Sequence, residues 1–421
     1  MMIKKSWLLV CFANFLIASL MGLLLRWMYV APIEWVNFQF LLHGHSHVAM
    51  LGWVYLMLYG LIFHFFIPKE AQQKPIYNKL FWVTEIAVIG MMVYFPFQGY
   101  ALFSITFSTL HIFCSYYFCR LVWKDAQPAS LLEKQLLRTA LFFMVFSTLG
   151  VWCLGPAVGM LGKTSAFYQI AIQFFLHFQF NGWFLFAVLA LFFHQLKAKI
   201  DPKKFRLFYN LLVVVTVLTL ALPVSWFLPH PIFHWINGIG VLLQLLAFFL
   251  FIQLLIPHFE PFFNSLRSLE KTVYGFALFS LSLKIGIQLV VLVPELAQVS
   301  HQIRNFVIGF IHLTMLGIIS GFLLGFLLQN RFLDSSSRLV QWAVRIFLSG
   351  FVLTELLLFL QGSYQFYGKG EFPMYYQNLL IASIGLPVGL LMLLIHIGYQ
   401  SKKVEKQIQN LQTVEKDNLL L

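Results

Sequence analysis

Twelve stretches of about twenty residues carry almost no charge, and nothing else in the chain limits its fold so strongly. They lie at roughly 7–30, 39–67, 78–98, 100–123, 138–160, 167–196, 206–228, 232–256, 272–293, 303–329, 338–361 and 377–399. A run of that length crosses the hydrocarbon core of a bilayer as a helix. Lipid offers backbone N–H and C=O groups no partner, so each span must satisfy its own. Of 421 residues, 60% are hydrophobic, 10% charged and 48 are Phe, and the mean hydropathy is +0.82. No soluble class has this composition. The expected fold is all-α: a polytopic membrane protein of twelve transmembrane helices forming one domain over 1–400. A polar, poorly ordered cytoplasmic tail is expected at 401–421. The first span lacks a small-residue cleavage site and is read as retained rather than as a signal peptide.

The net charge of +13 invites a nucleic-acid reading, but its placement argues against one. With the N-terminus in the cytoplasm, all but five of the 28 Lys and Arg fall in inner segments. The five are Arg26, Lys163, Lys284, Arg304 and Lys369. This is the positive-inside pattern, and it orients both termini toward the cytoplasm of an inner membrane. The excess charge is topogenic, so no nucleic acid is expected as a partner. Cys11, Cys114, Cys119 and Cys153 lack metal-type spacing and read as ordinary buried residues.

Histidines reveal an internal period. "HVAMLG" begins at His47 in the second span and "HLTMLG" at His312 in the tenth. "HFQFNGW" begins at His177 in the sixth, again with Gly five residues on. The intervals are 130 and 135 residues, or four spans each. The chain therefore reads as three pseudo-repeated four-helix arcs, roughly 1–125, 126–260 and 261–400. All three histidines lie on the order of 12–15 Å into spans that enter from the outer face. The connection "LPHPIFHWING" brings His230 and His234 to the same side. His43 shares a helix face with His47, being four residues earlier. His45 points off that face and is read as a satisfied polar residue near the interface. His111 and His396 are read as structural.

Neutral imidazole is the commonest nitrogen ligand for copper, zinc and haem iron, and ionisable groups within a membrane are functional candidates. Two facing imidazoles can hold a six-coordinate haem, and three from separate elements can hold copper. The Gly after each histidine lets a macrocycle or a neighbouring helix approach closely. Glu85, Lys284 and Glu355 are buried charges that need partners, for which a packing pair is favoured over a proton path.

These stretches resemble subunit I of the haem–copper oxidase superfamily, the nitric-oxide reductase branch in particular. The resemblance covers most of the chain in topology and four short stretches in motif. It implies twelve spans in a pseudo-threefold arrangement. "HVAMLGWVYLMLYGLIFHFFIP" and "IGFIHLTMLG" are similar to the helices carrying the two low-spin haem ligands, roles that fall on His47 and His312. "HFQFNGW" and "HPIFHWINGIGVLLQ" resemble the segments of the second metal site, copper or non-haem iron, which fall on His177, His230 and His234. Arg304, with Lys369 and Lys163, is an outer-side base that could meet a haem propionate. The departures are specific. Phe310 stands where the family's catalytic haem has its ligand, Asn181 stands where the reductases have an acidic residue, and the expected adjacent histidine pair is spread to His230 and His234.

The function implied is redox chemistry on, or binding of, a diatomic gas (O2 or NO) with low-spin haem b. Electrons would come from a donor protein or quinol, since no cytochrome c or dinucleotide motif is present. As an enzyme it would be a terminal oxidase or nitric-oxide reductase. A non-catalytic haem or copper sensor, or a metal or nitric-oxide-stress protein, is the second expectation, favoured by Phe310. A transporter keeping only the fold is the third. It would need broken helices, for which Pro156, Pro223 and Pro387 are candidates.

Overall fold

The structure is a computed structural model that describes residues 4–196 and 200–419, with side chains described through Tyr399. The tail expected at 401–421 lies outside the described side chains. Among the described residues there is no strand. Twelve helices are long and apolar enough to cross a membrane. They are α1 (Lys5–Trp27), α2 (Phe38–Phe66), α3 (Pro75–Gln98), α4 (Leu102–Asp125), α5 (Leu131–Leu161) and α6 (Ala166–Leu196). The second half comprises α7 (Pro202–Ser225), α8 (Pro231–Ser265), α9 (Ser268–Val290), α10 (Arg304–Gln329), α11 (Arg338–Phe366) and α12 (Tyr375–Tyr399). The protein is thus an all-α, multi-pass membrane protein. An even number of crossings returns the chain to the end of the bundle where it began. That end is called basic below, after its lysines, and the other is called distal.

Three helices form the centre. In their most apolar stretches 78% of α2, 67% of α6 and 61% of α10 is buried, against at most 50% in the other nine. The three touch one another: α6 packs on α2 and α10, and Trp53 Nε1 of α2 donates to Ser320 Oγ of α10 at 2.8 Å. The other nine close a ring around them. Most ring neighbours pack along their backbones. Stacked Trp7 and Phe81 join α1 to α3, and Phe276 and Phe351 join α9 to α11.

The central helices share a backbone irregularity. Each is α-helical up to its histidine and becomes a π-helix at the next residue, over Val48–Tyr55, Phe178–Phe184 and Leu313–Ser320. Such wide turns are rare and collect at functional sites. Each holds the glycine five residues after the histidine, and each glycine admits a neighbour. A Cβ on Gly52 would lie 2.8 Å from Val88 and 3.1 Å from Asn14, on Gly182 2.7 Å from Phe143, and on Gly317 2.8 Å from Ser280. In every case the first helix of the same four-span group (α1, α5 or α9) is among what approaches.

The buried carboxylate of Glu85 is partnered. Asn14 Nδ2 donates to Glu85 Oε2 at 2.8 Å and to the Gly52 carbonyl at 3.2 Å, tying α1, α2 and α3 together. This favours the packing reading of Glu85. Helices α5 and α12 run unbroken through Pro156 and Pro387. Only α7 is interrupted, after Leu218 and ahead of Pro223. Helices α11 and α12 meet backbone to backbone, with a Cβ on Gly350 falling 3.1 Å from Gly385 Cα and one on Gly389 falling 2.6 Å from the Ala343 carbonyl. Gly389→Val should force these helices apart and cost about 1–3 kcal/mol, read as earlier thermal unfolding in detergent.

Candidate functional site

The bundle is packed differently in its two halves. Toward the basic end the central helices are almost wholly buried, as over Leu56–Phe63, Phe186–Phe193 and Gly321–Leu328. Toward the distal end they are not. Only Leu41 and Gly44 are buried in Phe38–His47, only Ala171 in Ala166–His177, and no residue in Arg304–His312. The change falls at the three histidines where the π-turns begin. His45, His47, His177 and His312 are enclosed by protein, yet each keeps part of its surface accessible. They mark the boundary between the closely packed half of the bundle and the more open one.

Three neighbourhoods, called hollows below, can be distinguished by the side chains around these histidines. The first lies beside α3 and α4. His47 stacks on Phe95 at 4.2 Å between centroids, His43 packs on Tyr100 at 4.7 Å, and His111 is within electrostatic reach of His47. The second lies beside α7 and α9. His177 Nε2–H donates to the Thr216 carbonyl at 2.7 Å, and Lys284, whose charge acts on His177, sits 5.6 Å over the Phe310 ring. The third lies among α1, α2, α10 and α11. There His312 Nδ1 is 3.6 Å from Glu355 Oε1, and His45 Nδ1–H donates to the Ala18 carbonyl at 2.8 Å. His312 and Arg26 both act electrostatically on His45, and Arg26 acts on His312.

The sequence pairs His47 with His312, whereas the histidine on which His312 acts electrostatically in the structure is His45. The residue that shares a hollow with His312 is His45. At about 100° per residue, two positions on an α-helix point some 200° apart, so His45 and His47 face opposite sides of α2. His45 is a satisfied polar group, as expected, but it sits inside the third hollow. Gly22 makes room for it, since a Cβ there would lie 2.9 Å from His45 Cε1.

The second expected set does not converge. His177 has both nitrogens engaged, Nε2 by Thr216 and Nδ1 facing Asn181 Nδ2 at 3.5 Å. His230 is exposed, and its Nδ1 accepts the Ile232 N–H at 3.2 Å as the cap of α8, with His234 one turn on. Among the described residues no three His, Cys, Asp or Glu side chains gather to hold a metal ion. Arg304 is exposed, its guanidinium 5.5 Å over Phe38.

Sequence reasoning passed over Arg26. It is the base that reaches the third hollow, and its electrostatic neighbours are Tyr375 and Glu355. A single arginine in a span that is otherwise apolar was the available signal. Glu355 Oε1 is sealed from solvent and has no hydrogen-bond partner, the 3.6 Å to His312 being too long for one. Neither the protein-family models nor the curated proteins compared with this chain match it.

Proposed function

We propose that this chain is a haem-carrying membrane redox protein in which His45 and His312 would hold one low-spin haem b. The observation that carries this reading is their shared hollow. His45 has its Nδ1–H on the Ala18 carbonyl, His312 Nδ1 lies 3.6 Å from the Glu355 carboxylate without a hydrogen bond, and no bond to either Nε2 is found among the described residues. A ligating imidazole shows the pattern seen at His45: the outer partner fixes the tautomer and leaves Nε2 for the metal. The accessible lining of the distal half, Gly22 beside His45 and the orphaned Glu355 oxygen fit a bulky polar guest.

When bound between two imidazoles, haem supplies reversible one-electron chemistry. The protein's own groups do the rest. Ala18 holds the His45 ring, Glu355 stands beside His312, and Arg26 is the nearby base suited to a propionate. A partner protein or a quinol would donate the electrons. Two axial histidines leave no open position for a gas, and Phe310 beside the fully bonded His177 offers no second centre. The non-catalytic reading, electron carriage or sensing, is therefore the one favoured here over gas reduction. By the positive-inside rule the protein belongs in a cytoplasmic membrane with its basic end inward.

The test is a reduced-minus-oxidised absorbance spectrum of the detergent-purified chain, with iron counted on the same sample. Sharp low-spin b-type bands and about one iron per chain are expected for a bis-histidyl site. No haem after expression in a haem-replete host overturns the reading. Gly22→Val should lower haem content in the same assay without unfolding the bundle, because the added methyls push directly on the His45 ring.

A further inference from the structure

We propose that the seam between α11 and α12 near the basic end binds one anionic phospholipid, with a fatty-acyl chain in its groove and the phosphate on Arg345. The two helices meet there through glycine: a Cβ on Gly350 would fall 3.1 Å from Gly385 Cα. Small residues at such a contact leave a furrow outside it, and Ser349, Gly350, Ala382 and Gly385 line this one. The furrow has a volume of about 340 Å³ and a chiefly apolar lining. Trp342, Ser349, Leu353 and Ile381 are exposed along it, so it opens on the face of the bundle that a bilayer covers. From Trp342 to Leu353 it follows α11 for about 16 Å at 1.5 Å per residue. That is about the hydrocarbon depth of one leaflet.

The polar end identifies the occupant. Arg345 lies about 10 Å along α11 from its start at Arg338. It is exposed, and its guanidinium is 5.6 Å over the Trp342 ring. Tryptophan and arginine are side chains that settle at headgroup level. A second, smaller hollow of about 90 Å³ lies between α9 and α11, with Ser268, Thr272 and Gln341 among its lining. Arg345 lines both spaces, so an acyl groove and a polar recess meet at one cation.

The chain itself does not neutralise that cation. Asp334 faces Arg267 at 3.7 Å, and Glu270 accepts from the Ser335 hydroxyl at 2.8 Å and from the Arg267 backbone N–H at 2.9 Å. Among the described residues no carboxylate pairs with Arg345. A guanidinium offers a phosphate two parallel N–H bonds. Lys271 and Arg338, exposed at the same end, add to the positive potential that draws anionic lipid. A second copy of the chain suits the seam less well, because a twofold interface there would set two Arg345 side chains at one depth against each other. The site uses none of the histidines and does not depend on a haem.

The test is native mass spectrometry of the full chain, delipidated in detergent and offered dioleoyl phosphatidylglycerol or dioleoyl phosphatidylcholine at equal concentration. One phosphatidylglycerol per chain should be held about fivefold more tightly than phosphatidylcholine, and should raise the unfolding temperature. Arg345→Gln should erase that preference. Arg206→Gln, the same charge change at the basic end of α7, should leave it intact. Ser349→Phe fills the groove from its exposed side and should release the phosphatidylglycerol although Arg345 remains. These variants alter exposed side chains and keep the fold, as thermal unfolding verifies. Equal retention of the two lipids, a preference that survives Arg345→Gln, or retention untouched by Ser349→Phe would each overturn the proposal. So would a dimer that excludes lipid, which would assign the seam to a second copy.

Discussion

If His45 holds the proposed haem b, replacing it by alanine should remove nearly all of it, whereas replacing His47 should leave it in place. That contrast is the sharpest expectation the structure offers, because the two residues are only two apart in sequence and the motif points to His47. His45 shares the third hollow with His312 and Arg26. His47 faces Phe95 and His111 on the other side of the helix. His312→Ala should match His45→Ala. Glu355→Leu should be milder, weakening retention on the order of 10–100-fold, since it removes the carboxylate beside His312 but not a ligand. The measurement is the reduced-minus-oxidised spectrum and iron content of each variant. Haem lost in His47→Ala and kept in His45→Ala would reverse the assignment.

Trp53→Ala should destabilise the protein by about 3–5 kcal/mol, the usual range for truncating a fully enclosed aromatic. Its ring is 1% exposed and stacks on Phe15 of α1 at 4.2 Å, with Phe12 beside it at 5.2 Å. Its Nε1 makes the hydrogen bond that links α2 to Ser320 of α10. Helices in lipid associate through close packing and such bonds rather than through exclusion of water, so the loss is not recovered elsewhere. Trp53→Phe keeps most of the stack and should cost only about 1 kcal/mol for the missing bond. Unfolding of both variants in the same detergent separates the two contributions. Equal losses would mean that the hydrogen bond, not the stack, holds the centre together.

Much of the candidate site was legible in the chain, but not its pairings. The spacing that aligned His47, His177 and His312 marked the three positions at which the π-turns begin. The same alignment pairs His47 with His312, whereas His45 is the histidine beside His312 in the structure. Equivalent positions around a threefold bundle point into three different hollows, so two of them do not share one. The partner of His312 has to come from a different register of its neighbour, and His45, two residues before His47, occupies it. The likeness of "HPIFHWING" to a metal-binding segment did not carry over either, because His230 serves as a helix cap at the surface.

What the sequence by itself determined was the all-α class and the number of crossings. Hydropathy, span length and loop charge are properties of local segments that lipid reads directly. Tertiary structure alone decided which face of α2 each of His43, His45 and His47 presents to which neighbour. Side-chain direction follows helix phase, and what lies in that direction follows the packing of α1, α3, α4 and α10 around it. Arg26 and Glu355 show the same limit: they are far apart in the chain, and only the closing of α1 and α11 around α10 brings them to one hollow.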